Sequence, residues 1–311
     1  MHQRQEAVNR RKINAARLSV ASNTVLMLGK LAAGFFMGSV SVISDGVHSG
    51  IDLLAALIAL TAVRQSAKPA DERHRFGHGK FENLASIAEA GLIALAAGAI
   101  IFNAVPRLFS PTPVGALGLG AGVVLTAIVV NSILSQYLFQ VARETDSPAL
   151  EADAWHLRSD VYTSVAVLVG LGLIHVTGQL IIDPLIGILV SLLILRAAYR
   201  LIRDALRSVL DVRLPEEDEA AILAVLERHR AGYVEFHQLR TRKAGPERHI
   251  DLHLVTPAHG SVAEAHALCD RIEKEIEALF PNRVHVLIHI EPCDDRCAGC
   301  PKPVKSDCPN E

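Results

Sequence analysis

The sequence predicts a membrane all-α domain of six transmembrane helices followed by a small cytoplasmic α+β domain, ferredoxin-like or metallochaperone-like, of α-β-β-α-β order. Three observations lead there. Half of the 311 residues are hydrophobic while only 5% are aromatic, and mean hydropathy is +0.29, which fits a membrane part joined to a soluble part. Six stretches, near 14–37, 41–64, 82–105, 113–141, 149–175 and 179–202, are apolar over roughly the 20 residues that a bilayer-crossing helix needs. After about residue 209 the pattern changes to short alternating runs between amphipathic segments.

Taken in order, residues 1–13 form a cytoplasmic segment whose Arg4, Arg10, Arg11 and Lys12 make a basic leader into the first span, with no evident cleavage site. Residues 14–208 hold the six spans. Span five carries Glu151, Asp153, His156, Arg158 and Asp160 in its first half, so a soluble amphipathic helix competes there; the uninterrupted apolar run 161–176 favours a span. The loops near 38–41, 107–112 and 177–180 contain only Arg107 as a basic residue. The opposite side collects Arg64, Lys68, Arg73, Arg75, Lys80, Arg143, Arg196, Arg200, Arg203 and Arg207. The positive-inside rule then puts both termini and the 65–81 loop in the cytoplasm of a multi-pass protein of the cell (inner) membrane.

Residues 209–292 are the cytoplasmic domain. Leu214-Pro215-Glu216-Glu217 opens a helix to about 230 with acid in its first turn. Strands at 233–242 and 248–256 flank an Ala244-Gly245-Pro246 turn, an amphipathic helix covers 261–280, and a third strand covers 284–291. Residues 293–311 are a Cys-rich tail. Net charge is −2, which offers no case for a nucleic-acid partner. Of the five cysteines, four lie in that tail, so no disulfide framework holds the fold.

The chemistry is concentrated in a repeated motif. Asp45-x-x-His48-x-x-x-Asp52 lies in span two and Asp153-x-x-His156-x-x-x-Asp160 in span five. Offsets of three and four place each set on one helix face. Ionisable groups inside a bilayer are costly and mark ion paths or pairs. If the two helices are neighbours, His48 lies level with Asp160 and Asp52 with His156, giving two imidazoles and two carboxylates for a tetrahedral divalent metal. Asp45 and Asp153, one turn to either side, suit vestibule or relay roles. The competing reading is helix-to-helix hydrogen bonding without a metal. Because ligands must be deprotonated, such a site would couple metal export to proton entry.

At these residues the chain resembles the cation diffusion facilitator family of divalent metal/proton antiporters. The likeness covers about residues 14–292. It implies a homodimer in the lipid bilayer that exports Zn2+ against protons by alternating access, with His48, Asp52, His156 and Asp160 as transport site. Bacterial zinc and iron exporters of the family often have Asp at the position of His48. The 65–81 loop adds Phe76-Gly77-His78-Gly79-Lys80, a family string. Asp71, His74 and His78, close enough in sequence to chelate one ion, match a second zinc site. Lys80 matches a lysine that pairs with an aspartate after span six, here Asp211.

In the cytoplasmic domain, strand alternation puts His237, with Glu235 and Leu239, His253 and His289 on the open face of the sheet. The resemblance implies metal binding at a dimer interface by His237, His253, His266, His289 and Glu291, with His266 supplied by the other subunit. His249 and His285 have no counterpart and read as surface histidines. In the tail, Cys293, Cys297, Cys300 and Cys308 are four thiols able to hold zinc; a disordered, redox-sensitive tail is the alternative. Cys269 reads as packing. The sequence carries no enzyme signature. Competing functions keep the antiporter with Fe2+, Co2+, Cd2+ or Ni2+ as cargo, or keep the fold as a metal-sensing or assembly protein.

Overall fold

A computed structural model of the chain describes residues 2–38, 40–110 and 120–293. They form two compact units that divide between Leu210 and Asp211. The first unit holds α1 (His2–Met37), α2 (Val40–Ser66), α3 (Lys80–Phe109), α4 (Gly120–Thr145), α5 (Pro148–Thr177) and α6 (Ile182–Val209). Among the described residues, these six helices are long and apolar enough to cross a membrane. The expected start of span four at 113 lies outside the described residues, and helix is seen from Gly120.

Small side chains decide how these helices meet. α1 packs on α2, α4 on α5 and α3 on α6, and both α2 and α3 also lie against α5. One core combines Ala15, Ala16, Ala62, Ala142, Ala149 and Ala154 with Leu60, Leu138, Leu150 and Leu157. A second seam joins Ala90 and Ala97 of α3, Ala152 of α5, and Ile194, Ala198 and Leu201 of α6. Without a hydrophobic drive between spans, close backbone approach at such residues supplies the packing. Large apolar side chains such as Phe35, Phe36, Leu95 and Phe102 point outward instead.

α1 runs from His2 without a break, so helix covers the first thirteen residues as well as the first span. Its Lys12 is buried and donates to Glu82 Oε1 of α3 at 2.8 Å. Ser147 Oγ donates to the other oxygen of Glu82. Span five is one continuous helix long and apolar enough to cross a membrane, as its run 161–176 favours. Ser147 caps it by accepting from the Leu150 N–H at 3.4 Å, Pro148 opens it, and Gly178 ends it at φ 71°. In its polar first half Glu151 is exposed, but Ala152, Asp153, Ala154, His156 and Leu157 are all buried.

The second unit holds α7 (Glu216–Arg228), a 3-10 turn (Arg230–Gly232), β1 (Glu235–Ala244), β2 (Glu247–Thr256), α8 (Val262–Ala278) and β3 (Val284–Pro292). The sheet order is β1-β2-β3. β1 and β2 are antiparallel across a hairpin at Gly245 (φ 60°), and β2 and β3 are parallel with α8 as the crossover. Ser261 and Glu264 close a reciprocal capping box at the start of α8. Ile222, Val225 and Leu226 of α7, Ile250, Leu252 and Leu254 of β2, and Leu268, Ile272 and Ile276 of α8 form the core. The helices therefore cover one sheet face, and the odd-numbered residues of β2 line the other.

β1 departs from the simple alternation expected for it. Its register slips between His237 and Arg240, and Gln238 takes φ 52°. The extra residue is a bulge that resets the face. His237 stays opposite His253, whereas Leu239 packs on the core instead of sharing the face of His237.

Candidate metal centres

In the first unit, α2 and α5 bring Asp52, His156 and Asp160 together. One ligand atom from each lies within 4.8 Å of the others, and His156 Nε2 stands 3.2 Å from Asp52 Oδ1. His156 is 6% exposed. Its Nδ1 and Asp160 Oδ2 are buried without a hydrogen-bond partner among the described residues. Buried polar atoms are normally paired, so this cluster has the composition and the unsatisfied valence of a cation site. Hard carboxylate oxygens and a borderline imidazole suit a divalent first-row metal.

The neighbouring motif residues go elsewhere. His48 is an exposed residue one turn before Asp52 on α2 and is not among the three that converge. Asp45 pairs with Lys30 of α1, Oδ2 to Nζ 3.0 Å. The same Nζ donates to Ser49 Oγ at 2.9 Å. Asp153 is fully buried. Arg158 rests its guanidinium over the Phe139 ring at 5.7 Å.

The 65–81 loop builds its own cluster. Asp71 Oδ1 lies 3.3 Å from His74 Nδ1, and Asp71 Oδ2 lies 3.3 Å from His78 Nε2. Gly77 makes the turn between the histidines at φ 83°, a conformation that glycine adopts without strain. The backbone N–H of His74 (2.7 Å) and that of Arg73 (2.9 Å) donate to Asp71 Oδ1. Those bonds, that of His74 foremost, hold the Asp71 carboxyl below the usual carboxylate range. Lys80, at the start of α3, donates to the Val209 carbonyl at 3.4 Å. Asp211 takes φ 55° and accepts from Arg242 at 3.3 Å.

On the open sheet face of the second unit, His237, His253 and His289 are cross-strand neighbours in one row. Glu291 reaches back into that row. His253 Nδ1 is 2.7 Å and His237 Nε2 3.3 Å from its oxygens, and His289 Nε2 is 3.9 Å away. The His253 hydrogen bond and the surrounding imidazoles hold the Glu291 carboxyl below its ordinary range. The imidazole and carboxylate donors suit zinc. His266 stands on α8, exposed, 3.7 Å from Asp270. Cys293 closes the described chain, its N–H donating to the Thr256 carbonyl at 2.8 Å. Cys297, Cys300 and Cys308 lie outside the described residues. Cys269 is buried, and burial pushes its thiol up to about 11, in keeping with packing.

The order of elements is matched along nearly the whole chain by two family models. Residues 16–210 match the cation efflux transmembrane domain, and residues 214–293 the cation efflux protein cytoplasmic domain. The chain belongs to the cation diffusion facilitator family. It is 37% identical over 281 residues to the transporter sll1263 of Synechocystis sp., covering 90% of each chain. It is 36% identical over 279 residues to the cation-efflux pump FieF of Salmonella paratyphi A, covering 90% of this chain and 92% of the relative. A solved structure of the zinc transporter CzrB in its zinc form is 39% identical, covers 28% of this chain and 97% of its own, and aligns with a TM-score of 0.26. As a facilitator, the chain is a multi-pass membrane cation-efflux transporter.

Motif reading missed three features of this facilitator. Glu89 of α3 is fully buried in the membrane unit, neither of its oxygens has a hydrogen-bond partner among the described residues, and it lies within electrostatic reach of Asp153. An acid in the middle of an apolar span was the signal available for it. Lys30 and the Lys12–Glu82 pair gave the same signal, but their partners lie on other helices.

Proposed function

We propose that this facilitator exports Zn2+ from the cytoplasm in exchange for protons, by alternating access of the site between α2 and α5. The observation that carries this reading is the convergence of Asp52, His156 and Asp160, with buried valences left over, where two apolar helices cross. His48 is the fourth ligand, carried in from its exposed position one turn away when α2 and α5 shift. A tetrahedral two-nitrogen, two-oxygen set is one that zinc accepts readily. Loading requires a neutral imidazole and ionised carboxylates, so each ion that binds displaces protons, and protons entering from the far side displace the ion. Asp45 and Asp153 flank this path.

The termini and the 65–81 loop lie on the cytoplasmic side, where Asp71, His74 and His78 bind zinc at the loop. His237, His253, His289 and Glu291, completed by His266 from a second subunit, form a regulatory metal site of a homodimer. Metal there tightens the pair of domains and biases the membrane half. Before His48 arrives, the convergent set is one imidazole and two carboxylates. That oxygen-rich character favours Fe2+ or Co2+ as the alternative cargo.

The test is metal flux in proteoliposomes carrying a pH-sensitive dye. Zinc flux tied to proton counterflow, reduced to background in Asp52→Ala and Asp160→Ala, is the expected result. Zinc flux that ignores an imposed pH gradient would remove the proton coupling. Flux of iron or cobalt without zinc would move the cargo.

A further inference from the structure

We propose that Glu247, His249 and His285 form an additional divalent-metal site on the open sheet face, separate from the one around Glu291. Their ligand atoms lie within 4.8 Å of one another. His249 and His285 are cross-strand partners on the parallel strands β2 and β3. Their rings stack at 4.7 Å with 9° between planes, so the two imidazoles lie face to face. Glu247, at the hairpin end of β2, brings Oε2 to 3.6 Å from His285 Nε2. Tetrahedral zinc, with bonds of about 2.0–2.1 Å, separates its donors by about 3.3 Å. The Glu247–His285 gap is already close to that, and rotation of those two side chains about the buried His249 closes the rest.

His249 is not the surface histidine that the alternation of β2 suggests: it is 5% exposed. Burial first, then the Arg242 guanidinium, pushes its imidazole down to about 4. The positive charge of Arg242, opposite it across the strand pair, is answered by Asp211 at 3.3 Å. Glu247 supplies the charge for the cation. An ordinary ion pair between Glu247 and exposed His285 would account for two of the three groups but not for the buried imidazole stacked beside them.

The row of Arg240, Asp251 and Leu287 separates this cluster from that of His253 and His289. Those histidines lie four residues further along each strand, about 13 Å at the usual strand rise. One ion cannot serve both. Two imidazoles and one carboxylate select zinc, cobalt or nickel over magnesium or calcium. The site would let the domain respond to metal independently of the Glu291 cluster.

The experiment uses the full-length protein in detergent, dialysed against buffered free zinc to saturation, with bound zinc counted by mass spectrometry. Glu247→Gln leaves both imidazoles in place, and His285→Ala removes a half-exposed ring while keeping His249 itself. Each is expected to lose one zinc per chain relative to the native protein. Asp160→Ala is expected to lose a different zinc, and the losses to add when combined with His285→Ala. Equal zinc in the native protein, Glu247→Gln and His285→Ala overturns the proposal whatever Asp160→Ala does. Failure of Asp160→Ala alone to lose zinc bears only on the transport site.

Discussion

Lys12→Met is the perturbation whose cost the structure sets most directly. Lys12 and Glu82 are 1% and 0% exposed, 2.8 Å apart, and seventy residues apart in sequence. The substitution keeps the stem and removes the ammonium, leaving a buried carboxylate with only the Ser147 hydroxyl. Removing one member of a buried pair costs about 3–5 kcal/mol, because the other charge is stranded, while replacing both by uncharged groups is often nearly neutral. Lys12→Met and Glu82→Gln are therefore each expected to lose about 3–5 kcal/mol, and the double variant to recover to within about 2 kcal/mol of the native protein. The half-exposed pair Arg11–Glu144, at 2.5 Å, is the internal control; Arg11→Ala is expected to cost under about 1 kcal/mol. The assay is unfolding in mixed micelles, followed by fluorescence of Trp155. That residue is the single tryptophan of the chain and packs edge-on against Phe139 at 5.3 Å. A Lys12→Met loss no larger than that of Arg11→Ala, or single losses that simply add in the double variant, would refute the reasoning.

Three further outcomes are expected. A Cβ on Gly46 would stand 2.8 Å from Leu31 Cδ2 and 3.1 Å from its backbone nitrogen, whereas one on Gly50 meets nothing closer than Met27 Sδ at 3.8 Å. Gly46→Ala should therefore cost about 1–3 kcal/mol by overpacking, and Gly50→Ala should be neutral or gain up to about 1 kcal/mol of helix propensity, as read in the same unfolding assay. His48→Ala should weaken zinc affinity by on the order of 10–100-fold, the size found when groups around a metal centre are removed, measured by competition with a chelating dye. His249 is held below its ordinary value, at about 4 against 6.5, so on acidification the unfolded chain takes up a proton there before the folded one does. The stability it contributes is present above pH 6.5 and is lost as pH falls toward 4. Hydrogen exchange over 247–256 in zinc-free full-length protein, corrected for intrinsic rates, should show that loss, and His249→Gln should flatten it.

Much of the fold was legible from local pattern. Each span announces itself by its own apolar length, and Asp45, His48 and Asp52, like Asp153, His156 and Asp160, share a face through helical spacing alone. The strands and helices of the second unit follow from alternation, the acidic start of α7 and the amphipathic run 261–280. The bulge at Gln238 was not legible, because positive φ at a non-glycine residue leaves no mark in composition. It moved Leu239 to the core and kept His237 beside His253. His249 looked like any polar strand residue until its neighbours buried it.

The sequence by itself determined the number and kind of elements and which ionisable side chains the membrane unit must accommodate, since period, length and the cost of charge in an apolar segment are local quantities. Only the tertiary structure decided that Asp52, His156 and Asp160 converge while His48 stands apart. It alone paired Lys30 with Asp45 and Lys12 with Glu82, buried Glu89, and stacked His249 on His285. Those outcomes depend on how each helix is rotated about its axis and how each strand is registered. Rotation and register are set by packing between residues far apart in the chain, which no local pattern contains.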